Sequence, residues 1–156
     1  MERNVFMRRA IALAEQSVAD SGGGPFGAVV VHDGRIIGEG TNQVTGSHDP
    51  TAHAEVVAIR AACTQLGSFS LAGCEIFASC EPCPMCLSAI YWARIERIYY
   101  GNTKTDAAAI GFDDDHIYRE IALPISERAI PTEQLLADEA MAAFRAWEDS
   151  DEKIEY

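Results

Sequence analysis

Two short motifs limit the possible folds more than any other feature of this sequence. Residues His53–Glu55 read H-A-E at the start of a predicted helix, and Pro82–Cys86 read P-C-x-x-C at the start of the next. Cys83 and Cys86 are three residues apart, so both thiolates lie on one face of a helix and can reach one metal ion. His53 and Glu55 can address the same ion only if their helix points its N-terminal end at it. The fold must then bring two helix N-termini together.

The residue types at these positions favour zinc. Thiolate and imidazole are zinc ligands rather than ligands for magnesium or calcium. Binding by His53, Cys83 and Cys86 leaves the fourth tetrahedral position for water, as in catalytic zinc sites. Glu55 is the candidate for a carboxylate that takes a proton from this water and returns it. Positive dipole ends of two helices would stabilise the thiolates.

Cys80 allows a second interpretation of the stretch S-C-E-P-C-P-M-C. If Cys80 bound the ion together with Cys83, Cys86 and His53, four protein ligands would close the site and make it structural. A strand predicted over Cys74–Ser79 puts Cys80 at the end of a sheet, in a different backbone geometry from the helical pair. We therefore expect two of the three thiols to bind metal. A structural zinc or interaction module remains the rival from another class.

Patterns along the chain predict an α/β fold with one domain over residues 1–156. The pair Asp33-Gly34 predicts a tight hairpin. From about Ile36 onward strand and helix alternate, which predicts parallel pairing with helices on both faces of the sheet. Asp49 is the expected cap of the helix that carries H-A-E. The predicted strands are Phe26–Val31, Ile36–Gly40, Cys74–Ser79 and Arg97–Gly101; the predicted helices are Val5–Ala19, Pro50–Leu66, Cys83–Arg94, His116–Ile121 and Thr132–Trp147; a loop is predicted over 102–115.

Composition and charge exclude several classes of function. Lys and Arg total 12 against 24 Asp and Glu, which gives a formal net charge of −12. Nucleic-acid surfaces usually carry a basic patch, so no nucleic-acid partner is expected and a small neutral substrate is favoured. No apolar run is long enough to span a bilayer, so no membrane partner is expected. Without a secretory signal pattern the expected location is the cytoplasm, where thiols stay reduced.

The motifs and four longer stretches resemble the cytidine-deaminase-like superfamily, and within it the small bacterial guanine deaminases. The stretches are G-G-G-P-F-G-A-V-V-V, H-D-P-T-A-H-A-E-V-V-A-I-R, S-C-E-P-C-P-M-C-L-S-A-I-Y-W-A-R and T-D-A-A-A-I-G-F-D-D-D-H-I-Y-R-E-I, followed by a final K-I-E-Y. The resemblance implies a three-layer α/β/α sandwich with a mixed sheet of roughly five strands. It also implies one Zn²⁺ per chain, hydrolysis of guanine to xanthine and ammonia, and a homodimer that exchanges the C-terminal segment from about residue 132.

The resemblance further implies a set of substrate contacts. Asn42 would hydrogen-bond the purine, and Asp114 would bind its edge and assist proton transfer, with Asp113 and Asp115 as neighbours that could take its place. Tyr156 would close over the substrate, from the same chain or from the partner. The remaining implied pocket residues are Phe26, which would stack on or line the pocket, Ala54, and Trp92 in its wall.

Other deaminases remain as alternatives. A tRNA adenosine deaminase shares the central motifs but is usually basic and lacks this ending. A cytosine or cytidine deaminase would need a smaller pocket, which the sequence does not measure. Guanosine and triazines such as ammeline also stay open as substrates.

Overall fold

The computed structural model describes residues 2–156, which fall into two compact units: a first that ends at Asp115 and a second from His116 to Tyr156. The elements of the first unit are α1 (Glu2–Ala19), β1 (Gly27–His32), β2 (Arg35–Thr41), α2 (Val44–Ser47), α3 (Ala54–Leu66), β3 (Cys74–Cys80), α4 (Pro84–Trp92), β4 (Arg97–Asn102) and α5 (Lys104–Ala109). Those that follow are α6 (Asp115–Ala122), a 3-10 turn at Ile125–Glu127 and α7 (Ala137–Asp149).

The sheet is mixed, as expected, but the parallel pairing predicted from about Ile36 onward is found only between β3 and β4. Its strands lie in the order β2-β1-β3-β4; β1 is antiparallel to both neighbours, and only β3 and β4 pair in parallel. Parallel pairing of β2 with β3 was therefore a wrong prediction. The reason is the turn at Asp33 and Gly34, whose φ angles of 47° and 72° fold β2 back beside β1, while the other edge of β1 pairs with β3. Four strands are found in residues 2–156, against the roughly five expected.

The three-layer arrangement is confirmed, because the first unit has a core on each face of the sheet. Alternate residues of β1 point to opposite faces. On one face Val29 and Val31 pack with Phe77 against α1, and on the other Ala28 and Val30 pack against α3 and α4.

Glycines in β2 let α3 lie unusually close to the sheet. A Cβ at Gly40 would collide with the carbonyl oxygen of Ala54, and one at Gly38 would collide with that of Ala58. The contact of Gly40 with Ala54 places the first turn of α3 at the end of β2. Because β2 and β3 run in the same direction, the end of β3 and the start of α4 lie at the same edge of the sheet.

Several predicted boundaries were wrong. Asp49 does not cap α3; its carboxylate accepts hydrogen bonds from the backbone and hydroxyl of Thr51, which closes a turn ahead of the helix. The helix therefore begins at Ala54, with His53 as its N-cap. The predicted loop after β4 contains α5, which a capping box between Thr103 and Asp106 starts.

The second unit has no buried residue between His116 and Tyr156. The predicted helix near His116–Ile121 is found, whereas the last helix starts five residues later than Thr132, at Ala137. Large apolar side chains of this unit are exposed: Ile121, Leu135, Leu136, Phe144, Trp147 and Ile154. Within residues 2–156, no helix combines the length and the hydropathy that crossing a bilayer requires.

Candidate active site

His53 and Glu55 reach the site from the first turn of α3. His53 is the N-cap residue, and its extended backbone (φ −67°, ψ 153°) puts the imidazole at the end of the helix rather than on a side. Glu55 lies in the first turn and is buried. This is the geometry that the H-A-E spacing requires, because the two side chains would diverge in the middle of a helix.

Cys83 and Cys86 reach the same place from the start of α4. Cys83 is the N-cap of α4, Pro84 occupies the first turn, and the backbone N–H of Cys86 donates to Cys83 Sγ at 3.5 Å. Proline suits this position because its missing N–H would have no partner there. Two helix N-termini thus meet at one point, as the sequence predicted.

The three predicted ligand atoms have the spacing of a zinc site. His53 Nδ1 lies 3.5 Å from Cys83 Sγ and 3.4 Å from Cys86 Sγ, and the three atoms lie within 4.8 Å of one another. With Zn–S near 2.3 Å and Zn–N near 2.0–2.1 Å, a tetrahedron has N···S edges of about 3.5 Å. His53, Cys83 and Cys86 therefore fit one zinc ion.

Hydrogen bonds from Cys86 and His53 favour the thiolate form of Cys83. Hydrogen bonding, first from Cys86 and then from His53, lowers the pKa of Cys83 to about 4. The bond to Cys83 together with burial raises the pKa of Cys86. The hydrogen bond from His53 to the sulfur of Cys83 raises the pKa of the imidazole. Zinc binding thus meets a Cys83 sulfur that is already ionised at neutral pH and has to displace the proton of Cys86.

Cys80 does not take part in this cluster. Its Sγ lies 3.7 Å from the backbone carbonyl oxygen of Thr103, to which it donates. Burial, followed by the charge of Glu55, raises the pKa of Cys80 to about 11, so the thiol is neutral at pH 7. Cys80 is directed at a carbonyl and lies outside the group formed by His53, Cys83 and Cys86, which agrees with the interpretation that two of the three thiols bind metal.

Glu55 lies beside the ligands with its carboxylate directed at them. Its Oε2 is 3.4 Å from Cys86 Sγ. Burial is the main cause that raises the pKa of Glu55. A carboxylate that holds its proton more tightly than usual is suited to accept a proton near neutral pH and pass it on.

Asn42 is buried at the end of β2 and held firmly. Its Oδ1 accepts hydrogen bonds from the backbone N–H of Gly24 at 3.2 Å and of Val44 at 3.1 Å. With the oxygen used in this way, the amide group that Asn42 can offer to a ligand is the N–H donor pair of Nδ2.

Asp114 is the acidic residue of its run that is electrostatically coupled to the cluster. Burial raises the pKa of Asp114, and the charge of Cys83 adds to this effect. Asp113 instead accepts the backbone N–H of Asp115 at 3.0 Å, which starts α6. The structure therefore favours Asp114 over its neighbours for a role at the site.

Phe26 and Ala54 lie beside this region, and an unpredicted residue joins them. Ala54 is fully buried between His53 and Glu55. Phe26 meets Phe112 edge to face, with ring centroids 5.0 Å apart. Phe112 precedes the acidic run and anchors it to Phe26; its place in the G-F-D-D-D stretch is the only sequence signal for this role.

Trp92 is not brought to the cluster of its own chain. Trp92 ends α4, roughly 13 Å along the helix axis from Cys83, and its side chain is exposed. Tyr156 belongs to the second unit and is exposed as well. Contributions of both residues to a pocket stay predictions.

Comparison with known proteins decides the family. The model of the cytidine and deoxycytidylate deaminase zinc-binding region matches residues 1–102. The chain belongs to this family of zinc-binding deaminases. The three predicted ligands and Glu55 all lie within the matched residues.

The chain can also be compared with individual deaminases. The chain is 53% identical to guanine deaminase from Bacillus subtilis over 156 residues, all of both chains. The crystal structure of that protein matches with a TM-score of 0.97 and covers 100% of this chain and 99% of the other. A guanine deaminase from Nitrosomonas europaea is 33% identical with a TM-score of 0.66, over 70% of this chain and 63% of that one. A tRNA-specific adenosine deaminase from Agrobacterium fabrum is 42% identical over 70% of this chain and 71% of its own length.

Substitution of single cysteines tests the ligand set. Cys80→Ser removes a neutral thiol from outside the cluster, so the protein should keep its zinc and most of its activity. Cys83→Ser removes the ionised ligand, so zinc content should fall strongly. Metal analysis by mass spectrometry after gel filtration measures both. Loss of zinc from Cys80→Ser would instead favour the closed, structural site with four protein ligands.

Proposed function

We propose that this protein is a guanine deaminase that hydrolyses guanine to xanthine and ammonia. The observation that carries the proposal is the full-length similarity to the Bacillus subtilis guanine deaminase, at 53% identity and a TM-score of 0.97. A site with three zinc ligands and an adjacent buried carboxylate supports it, because this set of groups suits hydrolysis.

The zinc ligands and Glu55 have different roles in the proposed reaction. His53, Cys83 and Cys86 would hold one Zn²⁺ per chain, which supplies a hydrolytic nucleophile at neutral pH by lowering the pKa of water. Glu55 accepts a proton from the attacking water and delivers it to a ring nitrogen of the purine. A second proton transfer through Glu55 lets the amino group at C2 leave as ammonia. The atoms balance as guanine and water giving xanthine and ammonia.

Asn42 and Asp114 bind complementary edges of the purine in this proposal. Asn42 offers N–H donors, which suit the O6, N7 or N3 acceptors of guanine. Asp114 offers a carboxylate, which suits N–H groups of the base and would assist proton transfer. Phe26 and the buried start of α3 at Ala54 line the pocket, while Trp92 and Tyr156 are proposed to complete it.

Charge separates this proposal from the tRNA-directed alternative. The net charge of −12 and the acidic run before K-I-E-Y would repel an RNA backbone. A cytoplasmic location is part of the proposal, because thiols such as those of the zinc-ligand pair Cys83 and Cys86 stay reduced there.

A substrate screen tests the function. Ammonia release is measured with zinc-loaded protein on guanine, guanosine, adenine, cytosine, cytidine and ammeline. The proposal expects kcat/KM for guanine to exceed that for the others by about a hundredfold or more, because a wrong base leaves the buried polar groups unpaired. Preference for a nucleoside or for cytosine would contradict it.

Substitution of Glu55 tests the proton transfer. Glu55→Gln should keep zinc bound, because the carboxylate is not a ligand, and should lower kcat by at least about 10²–10⁴-fold. Glu15→Gln, at an exposed carboxylate of α1, is the matched control and should behave as wild type. Substantial residual turnover in Glu55→Gln, with zinc retained, would rule out the shuttle.

The C-terminal segment is proposed to be exchanged between two subunits of a homodimer. Large exposed apolar side chains are concentrated between Leu135 and Ile154, and exposed apolar area often marks a protein–protein interface. Exchange from about residue 132 would cover these side chains and bring Tyr156 of one chain to the site of the other.

Complementation between two inactive chains tests the exchange. One chain carries Glu55→Gln with an intact tail, and the other keeps Glu55 but lacks 153–156; each homodimer should turn over guanine slowly. If the tail acts on the partner's site, co-expressed heterodimers contain one complete site and should regain up to about half of wild-type activity per heterodimer. A heterodimer as inactive as both parents would place the tail on its own chain, and full activity of the truncated homodimer would remove the lid.

A further inference from the structure

The backbone around Asn42 is tied to α1 through a buried serine. Ser17 Oγ lies 2.8 Å from the carbonyl oxygen of Gly24 and 3.2 Å from that of Asn42. Only 3% of Ser17 is exposed, so its single O–H is shared between these two carbonyl oxygens away from competing water. The helical pattern of the sequence counts Ser17 among the core positions of α1 and gives no sign of this contact.

The backbone N–H and the side-chain oxygen of Asn42 also have backbone partners. The Asn42 N–H donates to the carbonyl of Phe26 at 3.2 Å, and Oδ1 accepts from Gly24 and Val44. The Asn42 side chain therefore has a fixed amide orientation, because a flipped amide would turn NH₂ toward two N–H donors.

Gly23 lies so close to Asn42 that there is no room for a side chain at position 23. A Cβ at Gly23 would collide with Oδ1 and with the carbonyl oxygen of Asn42, and it would come within 2.8 Å of the carbonyl carbon. Two of these three atoms belong to the backbone, so the collision cannot be relieved by a side-chain rotation. Residue 23 must be glycine for Asn42 to keep its place.

We propose that Ser17 is a positioning residue for substrate binding: with Gly23, it holds Asn42 so that only N–H donors face the purine. Asn42 held in this way would select bases that present hydrogen-bond acceptors to it. This inference rests on the proposed function, in which Asn42 contacts the purine. Ser17 itself does not touch the substrate.

Ser17→Ala tests the inference through the kinetics on guanine. Loss of the hydroxyl frees the Asn42 backbone, so KM should rise about five- to tenfold, the value of one hydrogen bond, while kcat changes little. Ser79→Ala is the matched control: Ser79 is also buried, and its Oγ accepts the backbone N–H of Gly27 at 3.0 Å. It should lower Tm to a similar extent and leave KM within about twofold.

A double-mutant cycle separates positioning from a general structural effect. In an Asn42→Ala background, Ser17→Ala should leave KM unchanged, because the group through which it acts is gone. Additive effects on KM, or an unchanged KM in the Ser17→Ala single variant, would overturn the inference. If Ser17→Ala does not fold, Ser17→Cys, whose S–H is a weaker donor, goes through the same cycle with the same expected and contradicting results.

Failure of the proposed function is distinguishable from failure of this inference. If the wild-type protein does not turn over guanine, the function is wrong, and the cycle is run with the base that the screen identifies. If the wild type turns over guanine but KM does not respond to Ser17→Ala, the function stands and the positioning role is wrong.

Discussion

The meeting of two helix N-termini is the constraint on which the rest of this structure depends. His53 and Cys83 are both N-cap residues, so each places its ligand atom at a helix end instead of on a helix face. The positive ends of both helices lie where thiolate charge collects. The close contact of α3 with Gly40 and the shared direction of β2 and β3 are what bring the two ends together.

The geometry of the two helix ends also explains why the neighbouring residues Cys80 and Glu55 are not among the predicted metal ligands. Cys80 is the last residue of β3, and its thiol turns to the carbonyl of Thr103. Glu55, in the first turn of α3, is close enough to contact Cys86 but does not belong to the group of three ligand atoms. A zinc ion held by His53, Cys83 and Cys86 would keep one position for water beside a buried carboxylate, which is the difference between a hydrolytic site and a structural one.

Chemistry was more predictable from this sequence than topology. Spacing within H-A-E and P-C-x-x-C fixes which atoms can share an ion, so the cluster followed from local geometry. Strand order did not, because the alternation of strand and helix does not reveal that β1 lies between β2 and β3. The start of α3 was also missed, since Asp49 can cap a helix or close a turn with Thr51, and only the tertiary position of His53 decides between them. The contacts of Ser17 and Phe112 are equally invisible, because both residues fit ordinary core or loop patterns.

X-ray absorption at the zinc edge tests the central claim most directly, because it counts sulfur ligands without relying on activity. For His53, Cys83 and Cys86 with an open fourth position, the account predicts two sulfur scatterers at about 2.3 Å and two nitrogen or oxygen scatterers at about 2.0–2.1 Å. Three sulfur scatterers would contradict it, since they would make Cys80 a ligand and close the site.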